Sequence, residues 1–290
     1  MSKQYNPKQF ADFKLEFFES VFIQGISDAD YRAAEGLNQS FLKDIDDLSP
    51  SEAEYRVSHR EEATPAMKIG SVMHSLALTP DDMDHYVIQP DCDRRTKDGK
   101  MVYEEFMASA IGKVVLKRDD WDLAERMAKA AKPHVPFSLG KRKAYPEAVL
   151  YAKAYVVSGP FKGSEVKFKG KLDMMVLDDV RSPDGVVHIH DLKSCADISD
   201  IAGASYKSGW AVQSALYGDM AAFAYRRPAD FTYTCISKEG PHSIRNAIVT
   251  EEMMMKGRQR YTKATAKWLW YVNNGRPNME EFYGLEELNG

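Results

Sequence analysis

Cysteine is scarce in this 290-residue chain: only Cys92, Cys195 and Cys235 occur, with no paired spacing. That excludes a disulfide framework, fits reduced thiols, and leaves too few ligands for a four-cysteine iron–sulfur cluster within one chain. Long apolar runs are also missing. None reaches the roughly 20 residues that a membrane-crossing helix needs, and Met1-Ser2-Lys3-Gln4-Tyr5-Asn6-Pro7 lacks the apolar core of a signal peptide. The expected compartment is the cytoplasm, with no membrane partner. Positive charge is not in surplus: 39 Lys and Arg stand against 43 Asp and Glu, a net charge of −4 with a pI near 6.0. A uniformly basic nucleic-acid-binding surface is therefore absent, although binding depends on the cations that face phosphate rather than on the total. No Gly-x-Ser-x-Gly elbow is present to activate a serine. Nor is there an internal repeat, a low-complexity tract or an interdomain linker, so residues 1–290 are expected to form one domain.

What the chain does contain, at 44% hydrophobic and 28% charged residues, is ordinary globular composition with one unusual placement of charge. The run Val186-Val187-His188-Ile189-His190-Asp191-Leu192-Lys193 follows the turn signal Ser182-Pro183-Asp184-Gly185 and is rich in β-branched residues, so it predicts a strand. Alternation then sets Asp191 and Lys193 on one face and turns Leu192 to the other, while the Leu192 carbonyl stays near the acid as a hard oxygen ligand. One predicted strand earlier, Gly170-Lys171-Leu172-Asp173 introduces a carboxylate into a segment that is otherwise almost wholly apolar, which is costly unless the acid is paired or metal-bound. A divalent ion between Asp173, Asp191 and the Leu192 carbonyl, with Lys193 beside it to orient or deprotonate a water, would account for all four groups.

Asp-x-Lys alone describes no more than an ion pair at a strand end; its company sets it apart. Gly70-Ser71-Val72-Met73-His74 lies on a predicted helix, residues 66–78. Glu147 opens a predicted strand at Tyr145-Pro146-Glu147-Ala148-Val149, and Gln213-Ser214-Ala215-Leu216-Tyr217 lies on a predicted helix from Trp210 to Arg226. Gln213 and Tyr217, four apart, share a helical face and can point into one cleft. His188 and His190, two apart on their strand, offer a competing zinc pair. They face away from Asp191 and have no evident third ligand, which favours a structural or surface role.

Helices are also predicted at 8–24, 37–47 and 251–273, and residues 100–131 are expected to be mostly helical, closed by Pro133 and Pro136. Strands are predicted at 145–157, 164–177, 186–193, 230–237 and 243–249. The expected fold class is α/β: a mixed central sheet flanked by helices over about 141–275, with a helical N-terminal region, about 8–140, packed on it.

The ordered set Gly-x-x-x-His, Glu, Gly-x-x-Asp, Asp-x-Lys, Gln-x-x-x-Tyr resembles the PD-(D/E)XK nucleases of the RecB-like and Cas4-like groups, and most of all the RecE-type (exonuclease VIII) family. The likeness extends to Ile26-Ser27-Asp28-Ala29-Asp30-Tyr31, Leu37-Asn38-Gln39-Ser40-Phe41, Ser49-Pro50, Asp93-Arg94-Arg95-Thr96-Lys97-Asp98-Gly99-Lys100 and Ser194-Cys195-Ala196-Asp197-Ile198, covering roughly residues 20–260. It implies a PD-(D/E)XK core and a two-metal exodeoxyribonuclease site using Mg²⁺, with Mn²⁺ as substitute. Asp173, Asp191, Leu192 (through its carbonyl) and His74 would be metal ligands. Glu147 would assist a second ion or the water, and Lys193 would position the nucleophile. Gln213 and Tyr217 would support the site and contact the scissile phosphate or terminal nucleotide.

Where the closest relatives are expected to carry Arg, this chain has Lys171, a point charge in place of a bidentate phosphate contact; Arg94, Arg95 and Lys171 are the candidate DNA contacts. Further basic clusters are Lys141-Arg142-Lys143 and Lys256, Arg258, Arg260, Lys263 and Lys267. The resemblance also implies linear double-stranded DNA as substrate, degraded 5′ to 3′ to leave 3′ overhangs for recombination, a single-strand annealing protein as partner, and a homotetrameric ring. A ring would let basic side chains line the channel of an otherwise acidic chain. Alternatives are a Cas4-like or repair nuclease acting on single-stranded or flap DNA, and a non-cleaving DNA-binding scaffold.

Overall fold

The computed structural model describes residues 4–135, 142–179, 185–207 and 209–283. Pro136, Lys141 and most of the turn before the Asp191 strand, Ser182 to Asp184, lie outside these residues. In chain order the elements are β1 (Lys14–Ile23), α1 (Asp28–Ala33), α2 (Gln39–Asp47), α3 (Pro50–Ser58), α4 (Pro65–Leu78), β2 (Tyr86–Ile88), α5 (Lys97–Ser109), β3 (Val114–Leu116) and α6 (Arg118–Ala131). There follow β4 (Lys143–Ser158), β5 (Glu165–Leu177), β6 (Val187–Cys195), α7 (Ile201–Lys207), α8 (Trp210–Tyr225), β7 (Ala229–Ser237), β8 (Ile244–Ile248), α9 (Glu251–Asn273) and α10 (Met279–Tyr283). Each of α1 to α5, and α9, opens on a Ser, Thr or Asn whose side chain accepts an otherwise orphan amide of the first turn, as Asn38 does from Phe41 and Thr64 from Met67.

The six-stranded sheet runs β1-β4-β5-β6-β7-β8. Its neighbours are antiparallel except β6 and β7, whose parallel pairing from Val187↔Ala229 to Cys195↔Ser237 requires the crossover supplied by α7 and α8. This is the mixed sheet flanked by helices that the sequence predicts. One core lies between the sheet and α8 and α9, and is built from residues such as Phe168, Ile189, Val212, Leu216, Phe231 and Tyr261. A second lies under α4 and α6 and contains Val72, Met73, Met127, Met174, Leu192 and Ile236. Leu192 thus points into the second core, on the side its alternation predicts.

One expectation fails. Residues 8–24 are not a helix: a short 3₁₀ turn at Pro7–Phe10 leads into β1, which pairs antiparallel with β4 at the sheet's edge. The aromatic and β-branched residues Phe17, Phe18, Val21, Phe22 and Ile23 suit a half-buried pleated surface, and a register irregularity between Phe17 and Glu19 blurs the period of two. Residues 100–131 are mostly helical, as expected, but divide between α5 and α6. Gly112, at φ 78°, follows the end of α5, and Val114–Leu116 forms a parallel pair with Tyr86–Ile88 before α6 begins. Among the described residues no helix is long and apolar enough to cross a membrane.

Candidate active site

Both sheet ladders that flank Asp173 break at that residue. Between β5 and β6 the pairing runs from Leu177↔Val187 to Met174↔His190 and stops where the next step would set Asp173 opposite Asp191. Between β4 and β5 the pairs Pro146↔Met174 and Ala148↔Leu172 are made, but the intervening Glu147 and Asp173 do not pair. Glu147 there has φ 52°, the left-handed region that a residue with a Cβ enters at a cost of about 1–2 kcal/mol. Three carboxylates, on β4, β5 and β6, are thereby brought to one parting of the strands. The amide of Leu192, which would belong to a ladder, instead donates to Asp173 Oδ2 at 2.8 Å.

Partners on each side hold these acids. His74, from α4, sets Nδ1 3.3 Å from Asp173 Oδ2. Gln213, on the first turn of α8, donates from Nε2 to Asp191 Oδ1 at 2.5 Å. The other oxygen, Asp191 Oδ2, is buried and faces the Lys193 ammonium as an ion pair, yet has no hydrogen bond of proper geometry. Lys171, one step before Leu172, is ion-paired with Glu147 and with Asp28 at 2.6 Å. Tyr217 is buried and its ring lies on Gly170, the glycine of the Gly-x-x-Asp motif.

The electrostatics follow from burial and crowding. Burial, reinforced by the nearby charge of Asp173, pushes the Asp191 carboxyl up to about 6 despite Lys193. Burial also pushes Asp173 upward, but His74, Lys193 and the Leu192 amide outweigh it and hold that carboxyl below its ordinary value. Glu147 is raised, first by burial and then by Asp173, with Lys171 opposing. Burial disfavours the charged Lys193, but Asp191 and Asp173 overcome it and keep the amine an ammonium. His74 likewise loses charge to burial and regains more from Asp173.

His74, Glu147, Lys171 and Lys193 line a cleft of about 1150 Å³, walled also by Gln24 to Asp28, the first turns of α4, Tyr86 and Lys238. Asp173 and Asp191 lie behind them. The structure therefore brings together His74, Glu147, Lys171, Asp173, Asp191, Lys193 and Gln213, with Tyr217 packed beneath. Arg94 and Arg95 are exposed and are not on the cleft lining: Arg94 stacks 4.6 Å over the Tyr103 ring and Arg95 bonds Asp93 at 3.0 Å. Three basic residues of α9 are spent on structural contacts, Arg258 with Asp219, Arg260 with Asp46 and Asp47, and Lys267 buried against the end of α2, while Lys256 and Lys263 are exposed. His188 is held between Asp230 at 2.8 Å and Asp178 at 3.3 Å, a bridge that leaves neither ring nitrogen free. Asp28 and Lys238 are cleft residues that sequence reasoning missed. Asp28 is fully accounted for locally as an acid in the first turn of α1, so nothing in its neighbourhood hints at Lys171.

The donor set fits a hard divalent cation. Two carboxylates and a main-chain carbonyl from adjacent strands are hard oxygen donors of the kind such an ion takes, and Asp191 Oδ2 faces the Lys193 ammonium without a hydrogen bond of proper geometry. Among the described residues no three His, Cys, Asp or Glu side chains converge into a ready metal cage.

Residues 38–281 match the family described as a PDDEXK-like domain of unknown function, DUF3799. The chain belongs to that family. Its fold is shared by a structure described as a putative exonuclease from Eubacterium rectale, with TM-score 0.54 and 15% identity over 88% of this chain and 89% of that one. A second structure, SSO0001, aligns at TM-score 0.33 and 12% identity, over 84% and 88% of the two chains. A comparison with curated proteins finds no match. The PDDEXK-like family is one of nuclease fold, whose members generally use divalent metals.

Proposed function

We propose that this DUF3799 protein is a Mg²⁺-dependent exodeoxyribonuclease of the RecE type. It degrades one strand of linear double-stranded DNA from the 5′ end and leaves a 3′ overhang for a single-strand annealing protein, working as a homotetrameric ring. The observation that carries this reading is the buried Asp191, fixed by Gln213 on one oxygen and facing Lys193 with the other, beside Asp173 where the strands part.

In this reading Asp173, Asp191 and the Leu192 carbonyl hold the metal, with His74 bearing on Asp173. A bound divalent ion would supply charge stabilisation for the in-line displacement and a lowered pKa for water. The chain's own residues do the rest. Gln213 locks the Asp191 rotamer, and His74 and the Leu192 amide lock Asp173. Lys193 orients the water as an ammonium; with the carboxylates neutralised by a bound cation it would release its own proton to solvent and, as the free amine, could then accept one from the water. Glu147, set by its left-handed backbone toward Lys171, adds an acceptor on the cleft side. Lys171 exchanges a carboxylate for a substrate phosphate, and Arg94 and Arg95 are assigned to DNA backbone beyond the cleft, where a surface pair such as Arg95–Asp93 is cheap to break.

The test is digestion of linear duplex labelled at either end, against closed circles, with Mg²⁺ or EDTA, for the unaltered chain and Lys193→Ala. Metal-dependent release from 5′ ends only, abolished by the substitution, is expected. Cutting of circles would point to an endonuclease, cutting confined to single strands or flaps to a Cas4-like activity, and DNA binding without cutting to a scaffold.

A further inference from the structure

At the C-terminal end of α1 lies a second cavity, of about 500 Å³, walled by the end of α1, the start of α2, the end of α3, β5 and α9. In a chain of net charge −4, this cavity is lined by four cations, Arg32, Arg60, Lys167 and Lys169, against two carboxylates, Glu35 and Glu165. Lys167 closes Glu35 at 2.7 Å. Arg60 is exposed and has no ion pair or side-chain hydrogen bond among the described residues. Lys169 is 6% exposed and spends its protons on the carbonyls of Tyr31, Arg32 and Ala34, capping α1, so its charge is solvated but meets no carboxylate. Beside these cations stands Trp268, half-buried and braced edge-on by Phe41 at 5.0 Å.

Arg60, a cation without an anion among the described residues, and Arg32, held only by a solvent-exposed pair with Asp28 at 3.6 Å that a phosphate can replace, next to a braced indole, recognise a phosphate joined to a flat ring. The volume lies within the roughly 300–1,000 Å³ of small-molecule sites, which admits a nucleotide unit of one strand and excludes a duplex. The two cavities have no lining residue in common but adjoin the same two elements, α1 and β5. Asp28 lines the active cleft and Arg32, one helical turn on, lines the second; Lys171 lines the first and Lys169, two residues back on β5, lines the second. That step is about 6–7 Å along either element.

We propose that this cavity is a subsite for single-stranded DNA continuous with the active cleft, with a base stacked on Trp268 and its phosphates met by Arg60 and Arg32. The proposal rests on the nuclease reading above. A guanidinium–phosphate contact carries affinity and salt dependence, and stacking on an indole carries sequence-tolerant affinity.

Binding of fluorescent dT20 is measured by anisotropy in EDTA, where no cutting occurs, across a salt series. Arg60→Glu should weaken binding about 5–10-fold and make the salt slope shallower by about one. Trp268→Leu should weaken it about 10-fold without changing the slope, and Trp268→Phe should restore most of the loss, which a merely unfolded variant would not show. Arg126→Glu, an exposed reversal on α6, should bind dT20 as the unaltered chain does. If the chain cuts DNA while Arg60→Glu and Trp268→Leu bind dT20 unchanged, or lose only duplex binding, the subsite is overturned and the nuclease reading stands. A chain that neither binds nor cuts DNA overturns both.

Discussion

Gly170 and Tyr217 are fitted to each other: a Cβ on the glycine would stand 2.6 Å from Cε1 of the tyrosine ring. The glycine of one motif is thus the space that the tyrosine of another occupies, and both hold α8 against β5 three residues from Asp173. Gly170→Ala must push the ring aside, at about 1–3 kcal/mol for overpacking. Tyr217→Leu opens a gap of its own. The double variant should be more stable than the sum of the two single losses predicts, a coupling that thermal or denaturant unfolding of all four proteins measures. Strict additivity would mean that the two do not meet.

Glu147 is strained for its position. Glu147→Gly removes the conformational cost of a left-handed φ, although Lys171 is left with Asp28 alone. Stability in chemical denaturation should therefore stay within about 1 kcal/mol of the unaltered chain, while nuclease rate falls at least about 10²-fold. A variant that loses stability and rate in parallel would assign Glu147 to structure rather than to the reaction.

The strands carrying the site were legible because alternation and apolar content agree over 145–157, 164–177 and 186–193, and because charges inside such segments stand out. The parting of the ladders at Asp173 was not legible. It depends on Glu147 leaving the extended conformation, which residue type alone does not announce. β1 was misread because its aromatics serve either period and its partner β4 lies more than a hundred residues downstream. β2 and β3, three residues each, are too short to show a period at all. Gln213 and Asp191 could be suspected of sharing a cleft, but that Gln213 fixes one carboxylate oxygen and leaves the other facing Lys193 emerges only from α8 packing over β6.

His188 bridges Asp178 and Asp230, tying β6 to the start of β7 and to the end of β5. His188→Gln should lower stability by about 1 kcal/mol, the scale of one partly buried hydrogen-bonded pair, and leave metal-dependent cleavage within twofold. Calorimetric titration with Zn²⁺ should show no site that the substitution removes. A stoichiometric zinc site lost in His188→Gln would revive the histidine-pair alternative.

The buried Asp191 makes stability depend on both pH and metal, in a direction that can be worked out. Its carboxyl sits near 6 when folded, raised by burial and then by Asp173, against an ordinary value of 3.8. The folded state therefore holds this proton more tightly than the unfolded chain. Below about pH 4 both states are protonated and the group costs nothing. As pH rises from 4 to 6 the unfolded chain ionises first and a penalty builds, and above 6 the full penalty remains. A divalent ion bound to the ionised carboxylate should relieve that penalty, so the rise in Tm on adding Mg²⁺ should be largest near pH 8 and shrink as pH falls below 6. Asp191→Asn should abolish most of the Mg²⁺-induced rise at every pH and flatten the metal-free profile between pH 4 and 6. Thermal unfolding across pH 4–8, with Mg²⁺ or EDTA, reads both effects. A Mg²⁺ response that is independent of pH, or that survives Asp191→Asn, would move the cation away from Asp191.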